Sequence, residues 1–338
     1  MEVIATIKHR KNEDFSFKVE RLYRLGIRKF RMNYAKVDSV SSMESFFSDI
    51  ETVRRIGHDT EIIVDIPYPG RKIRFLYPRG SVQVNTGDVY QLHFSKISQV
   101  YACNENYLYI TDQAIDNFIS PGMKIYYDSG EGAFIVTNIK VGEYVELKAI
   151  NSFKMYSNKS LSYGSRIVSD YTNIVEIICG RVTPNAIAFS FVECGNELVR
   201  ARELKEKYGF RIISKIESQK GIDNLDDIII KSDEIMIGRG DLGLNVDVCD
   251  LFLLQKSIVE RCKKKETKCH IATGFMNSCI NNVVPSRSDI MDVSFAIGLA
   301  PDSLVLNVDL AMSDGIITAI EDIQKISNRL ISGKWCSL

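Results

Sequence analysis

Two short apolar runs in this chain stop abruptly in charge. Residues 210–213 lead into Ser214-Lys215-Ile216-Glu217, and residues 235–237 lead into Gly238-Arg239-Gly240-Asp241. Each run has the length and composition of a buried strand. Such a strand cannot end among unpartnered charges, because an isolated charge withdrawn from water is costly. Glu217 and Asp241 are hard oxygen donors that can share one divalent cation such as Mg²⁺ or Mn²⁺. Lys215 then sits beside that cation, where it can stabilise the anion of a metal-bound substrate. The competing reading of the same residues is a salt-bridge network that closes the strand ends.

The elements that must position these groups follow a βα rhythm. Strands are predicted over residues 3–7, 27–32 and 61–66, with helices over about 17–25 and 41–56. From about residue 75 to 165 the pattern changes to short alternating pieces punctuated by Gly and Asn, which reads as a small all-β insertion. The βα pattern then resumes, with strands at 186–191, 211–215, 234–238, 270–273 and 303–307 and helices at 195–208, 222–231, 251–265, 287–299 and 316–331. Three strands before the insertion and five after it make eight, which predicts a closed (β/α)8 barrel with its active site at the C-terminal strand ends. The expected division is residues 1–67 and 166–338 as barrel and 68–165 as inserted lid. Polar residues collect at those strand ends: Arg31 and Asn33, Asp65, Ser190, Lys215 with Glu217, Gly240 with Asp241, Thr273, and Asn307 with Asp309. One chemical face explains this placement better than chance does.

Composition excludes other classes. The 338 residues hold 43 Lys plus Arg and 43 Asp plus Glu, so no net field draws the chain to nucleic acid or an anionic membrane. The N-terminus interrupts its apolar run with charge and is not a signal peptide, and no stretch approaches a membrane span. The eight cysteines form no Cys-x-x-Cys pair and there are four histidines, so neither zinc nor a disulfide framework is suggested. A reducing cytoplasm is the expected location.

Taken together, these pieces resemble the pyruvate kinase family over essentially the whole chain. Arg31-Met-Asn33 resembles its Arg-Leu-Asn, Ser214-Lys-Ile-Glu217 its Ala-Lys-Ile-Glu, and Gly238-Arg-Gly-Asp-Leu-Gly243 its Ala-Arg-Gly-Asp-Leu-Gly. Ala272-Thr273 and Pro285-Ser-Arg287 resemble its Ala-Thr and Pro-Thr-Arg. The resemblance implies that Glu217 and Asp241 hold the metal and Lys215 neutralises the enolate oxygen and the phosphoryl group in flight. Thr273 and the amides of Gly240 and Asp241 would hold the substrate carboxylate. Arg31 would clamp the transferring phosphoryl group, with Ser190 and Arg74 on the phosphate side. For Asn33 and Ser190 a turn or cap role competes; Arg287 reads as a structural or interface pair, and Asp309 is a weak candidate.

Departures from the family pattern carry information too. The family holds potassium with Asn, Ser, Asp and Thr aided by a Glu. Here Asn33 and Asp65 remain, but Ala35, Ile66 and Lys72 stand at the other positions. A lysine ammonium at residue 72 can replace the potassium charge, so activity is expected without potassium. On the nucleotide side the family's Gly-Pro is Lys8-His9, its His is Lys36, and the loop Thr273-Gly-Phe-Met-Asn277 lacks the usual Gln and Glu. Lys159 is a candidate lid lysine or a solvated surface one. The chain ends soon after the last barrel helix, so the family's C-terminal domain and its sugar-phosphate activation are not expected.

The leading expectation is therefore a specialised metal-dependent phosphotransferase acting between phosphoenolpyruvate or pyruvate and a nucleotide such as ADP or ATP. It is expected to be a barrel-to-barrel homodimer without nucleic-acid or membrane partners. A metal-dependent pyruvate-enolate lyase or aldolase and a non-catalytic binding protein are the alternatives. Phosphoryl acceptor, preferred metal and pathway stay open.

Overall fold

Strand alternation sorts the barrel into layers, since every second side chain of a strand faces the same way. The computed structural model describes residues 1–8, 14–34, 37, 40–66, 72–94, 105–110, 119–157, 159–163 and 171–332. Two compact units divide the chain: residues 1–67 with 172–338, and residues 68–171.

In the first unit eight parallel strands close in the order β1-β8-β7-β6-β5-β4-β3-β2. They are β1 (Glu2–Thr6), β2 (Lys29–Asn33), β3 (Glu61–Ile66), β4 (Ala186–Phe189), β5 (Arg211–Ile216), β6 (Glu234–Gly238), β7 (Lys268–Ala272) and β8 (Ser303–Leu306). The middle layer is apolar, with Ile4, Ile63, Ala188, Ile213, Met236 and Val305 in one buried cluster. One step toward the strand starts the same alternation reaches charged residues. Arg211 Nε lies 2.7 Å from Glu234 and its Nη2 bonds Glu61. Fully buried His270 bridges Glu234 and Ser303, each at 2.7 Å. This end is a structural seal with its hydrogen bonds satisfied.

Burial alone would raise the Glu234 pKa, but His270 and Arg211 outweigh it and hold the carboxyl down at about 2. A depressed carboxyl contributes stability that is present above its unfolded pKa and lost as pH falls through the folded value. Glu234→Ala is expected to destabilise the barrel at neutral pH by roughly 1–3 kcal/mol, because fully buried His270 loses its Glu234 partner while half-exposed Arg211 keeps Glu61. Urea midpoints measured down a pH series would show that deficit shrinking below the ordinary glutamate range; a deficit independent of pH counts against the assignment.

Outer helices follow the expected amphipathic segments, including Val40–Ile56, Leu251–Lys264, Arg287–Gly298 and Ile316–Ile331. Two differences have local causes. The helix expected over 222–231 is split into Gln219–Asp223 and Leu225–Lys231 at Asn224, whose Nδ2 donates to Glu193 O at 2.9 Å and Lys220 O at 3.0 Å. A short helix, Arg239–Asn245, forms directly after β6 where two glycines had masked helical spacing. None of the described helices is long and apolar enough to cross a membrane.

The second unit is all-β among its described residues apart from one short 3-10 turn, with a seven-stranded sheet and a two-stranded sheet. Alternating residues of strands such as Gly132–Lys140 and Tyr144–Ala149 bury Phe134, Val136, Val145 and Leu147 against Phe75 and Tyr127. Strands at Lys72–Arg74, Val89–His93, Phe153–Tyr156 and Ser160–Tyr163 join those read from sequence.

Candidate active site

At the opposite end of the barrel, the last inward positions of four strands and the turn after β4 meet around one ammonium group. Lys215 on β5 is only 7% exposed. Its Nζ donates to Ser190 Oγ at 2.9 Å and lies 3.0 Å from Glu217 Oε1 and 3.2 Å from Asp65 Oδ2. Asp65, on β3, also carries Arg31 of β2: Nε and Nη2 approach its Oδ2 at 2.7 and 2.6 Å. Arg31 Nη1 donates to Thr6 Oγ1 at 3.0 Å. Ser190 Oγ donates to Ile66 O at 3.0 Å, with Asp65 Oδ1 at 3.3 Å. Alternation brings Lys215 and Glu217 to one side of β5, as the spacing required.

Glu217 is 2% exposed and held from two directions. Beyond Lys215, its Oε2 accepts the Phe191 N–H at 3.0 Å. Gly238 leaves room for it, since a Cβ there would fall 2.4 Å from Glu217 Oε1. Ser190 and Phe191 belong to the turn beyond β4, where Phe191 takes φ of +52° to turn its N–H inward.

Charge sets the protonation states. Burial pulls the Lys215 pKa down, yet Asp65 and Glu217 more than offset it and leave it above the ordinary lysine value, with Asp241 adding in the same sense. Burial pushes Asp65 up, and Arg31 and Lys215 overcome it, so its carboxyl stays ionised.

The remaining predicted residues are spread over several elements. Asp241 occupies the first turn of Arg239–Asn245, close enough for its charge to act on Lys215. Gly240 faces Thr273 across the β6–β7 boundary, where an added Cβ would come 3.1 Å from Thr273 Cγ2. Asn33 ends β2 in register with Asp65. Lys72 and Arg74 lie on the strand Lys72–Arg74 of the second unit, and their side chains, like Ala35, Lys36 and His9, are outside the described residues. Lys159 pairs with Asp128 within that unit. Arg287 opens the helix Arg287–Gly298, and Asp309 lies in the short helix Val308–Ala311, which Asn307 caps by accepting the Leu310 N–H at 2.8 Å.

Glu217 and Asp241 fit a divalent cation by donor chemistry. Glu217 Oε1 faces Lys215 and Oε2 accepts the Phe191 N–H, and both are hard carboxylate oxygens of the kind that Mg²⁺ takes. Among the described residues no group of three or more His, Cys, Asp or Glu could form a metal cage. A Mg²⁺ site built from one or two carboxylates and completed by substrate oxygens and water needs none.

Sequence reasoning missed how Asp65 gathers Arg31 and Lys215, and missed the partners of Arg239 altogether. Asp65 had a signal in the β3 alternation. Arg239 had none, because its partner Asp292 is far away in sequence.

A family model described as the pyruvate kinase barrel domain matches residues 1–315. A pyruvate kinase of Clostridium perfringens is 27% identical over 318 residues, covering 90% of this chain and 65% of the relative. One from Candida albicans is 26% identical over 320 residues, covering 89% and 61%. One from Borreliella burgdorferi is 26% identical over 339 residues, covering 97% and 68%. The chain thus spans less than two thirds of the length of the first two relatives. With its lysine and carboxylate motifs at the mouth of a closed eight-stranded barrel and the family model running across it, the chain belongs to the pyruvate kinase family.

Proposed function

We propose that the chain is a metal-dependent phosphotransferase of pyruvate kinase type, moving a phosphoryl group between an enolpyruvate and a nucleotide. The observation that carries this reading is the buried Lys215 ammonium held between Asp65 and Glu217. A salt-bridge seal alone accounts for the Arg31–Asp65 pair, whereas Lys215 also takes Glu217 and feels the charge of Asp241. The hard carboxylate oxygens of Glu217 and Asp241 are the donor type that suits a bound divalent cation.

In this reading Glu217 and Asp241 hold Mg²⁺ or Mn²⁺, which when bound supplies fixed positive charge to the substrate oxygens. Lys215 faces the oxygen on which enolate charge develops and exchanges its bond to Ser190 for one to that oxygen. Arg31, fixed by Asp65 and Thr6, presents its guanidinium to the transferring phosphoryl group, whose transfer needs positioned charge more than covalent help. Thr273 and the Gly240–Asp241 backbone orient the substrate carboxylate. Ser190 and Asn33 steady the phosphate side. The decisive assay supplies phosphoenolpyruvate, Mg²⁺ or Mn²⁺ and a panel of nucleoside diphosphates, and detects pyruvate. Absence of pyruvate formation with every diphosphate overturns the proposal.

Potassium is proposed to be dispensable. Asp65, one of the two inherited potassium ligands, already accepts from Arg31 and Lys215, whose two positive charges meet its carboxylate. Turnover is expected to be the same in potassium and in tetramethylammonium at fixed ionic strength. A many-fold rise in potassium would refute this.

A further inference from the structure

The turn after β7 adopts a backbone that threonine does not choose. Thr273 has φ of +81°, followed by Gly274 at +90° and Met276 at +54°. Positive φ is strained for a β-branched residue and persists only where the surroundings enforce it. Arg239 supplies the enforcement. Its Nε donates to Thr273 O at 3.0 Å and its Nη2 donates to the same oxygen. The other side of the guanidinium is bidentate to Asp292, at 2.6 and 2.9 Å, and its central carbon lies 3.9 Å from the centroid of the buried Phe275 ring. The Arg239 side chain is 12% exposed. Neighbouring glycines keep the fit close, since a Cβ on Gly274 would meet Arg239 Nη2 at 3.4 Å.

We propose that Arg239, locked by Asp292, is a positioning residue that holds the strained Thr273 peptide and so aims the Thr273 side chain at the substrate carboxylate beside Gly240. The inference rests on the role given to Thr273 above. It follows from the shape of the guanidinium, because one planar fork serves a carbonyl and a carboxylate at once, whereas a lysine ammonium at the same position cannot reproduce both sets of bonds. The arrangement ties the end of β6, the turn after β7 and the helix Arg287–Gly298 into one unit.

The test uses the full chain carrying Arg239→Lys, and separately Asp292→Asn as a milder variant that retains Arg239. Crystal structures of both are expected to show Thr273 leaving the positive-φ region; a φ still near its present value in both overturns the proposal. In the phosphoenolpyruvate assay, Arg239→Lys is expected to lower kcat/KM by about 10²-fold, the usual penalty of a small misplacement. Combined with Thr273→Ala, it should lower kcat/KM no further than Thr273→Ala alone. Losses that multiply would mean that Arg239 acts independently of Thr273, against the proposal. If the unmodified chain turns over no acceptor, the phosphotransferase reading fails on its own account, while the Thr273 backbone in the variant structures still decides the positioning.

Discussion

Lys215→Met is expected to reduce phosphoenolpyruvate-dependent pyruvate formation by about 10³-fold, the scale of removing a preorganised charge from a developing oxyanion. The variant should still fold and bind Mn²⁺. Asp65 keeps Arg31 as its counter-ion, and Glu217 keeps the Phe191 N–H. Paramagnetic titration of Mn²⁺ therefore separates loss of charge from loss of the site. Lys215→Arg should not rescue activity, because a guanidinium is too wide for a position that already touches Ser190, Asp65 and Glu217. The pH profile provides a second check. The Lys215 pKa lies above the ordinary lysine value of about 10.4, so its ammonium persists through neutral and mildly alkaline pH. A basic limb near pH 8 must then come from some other group. A Lys215→Met enzyme within about tenfold of the unmodified rate would leave only the salt-bridge reading of this cluster.

The parts of this site that were legible in the sequence are those that depend on alternation along one strand. Lys215 and Glu217 are two residues apart, so any strand through them puts both on one face, and the same holds for Arg31 with Asn33. Barrel strand boundaries were recoverable to within a few residues, because each apolar run ends in a charge or a turn residue. The misses have physical causes. Ser190 and Thr273 were read as strand ends but lie just past β4 and β7, where Phe191 and Thr273 adopt positive φ that their residue types do not advertise. The helix Arg239–Asn245 was hidden by two glycines and takes its stability from packing rather than propensity. Pairings between strands far apart in sequence, such as Arg31–Asp65–Lys215 and Arg239–Asp292, depend on barrel closure, and no local pattern encodes them.

Asp65→Asn should change both stability and the pH dependence of the rate, because Asp65 is the shared counter-ion of two cations. It is 2% exposed, and its two oxygens accept from Arg31 and Lys215. An amide offers one acceptor oxygen and turns two donors toward a surround that is already rich in donors. Removing one member of such a buried pair costs about 3 kcal/mol or more, measurable as a lowered urea midpoint at neutral pH. The Asp65 pKa is depressed in the folded chain, so its contribution is present above the ordinary aspartate range and lost as pH falls below it. The unmodified chain and Asp65→Asn should therefore converge in stability toward acid. The rate effect runs in the opposite pH direction. Burial lowers the Lys215 pKa, and Asp65 is the larger of the two main charges that raise it back. Without Asp65, burial is less well offset, so the ammonium is lost at lower pH and the rate acquires a basic limb that the unmodified chain lacks. Superimposable pH profiles for the two proteins would show that Asp65 does not set the charge of Lys215, and the electrostatic account of the site would need a different counter-ion.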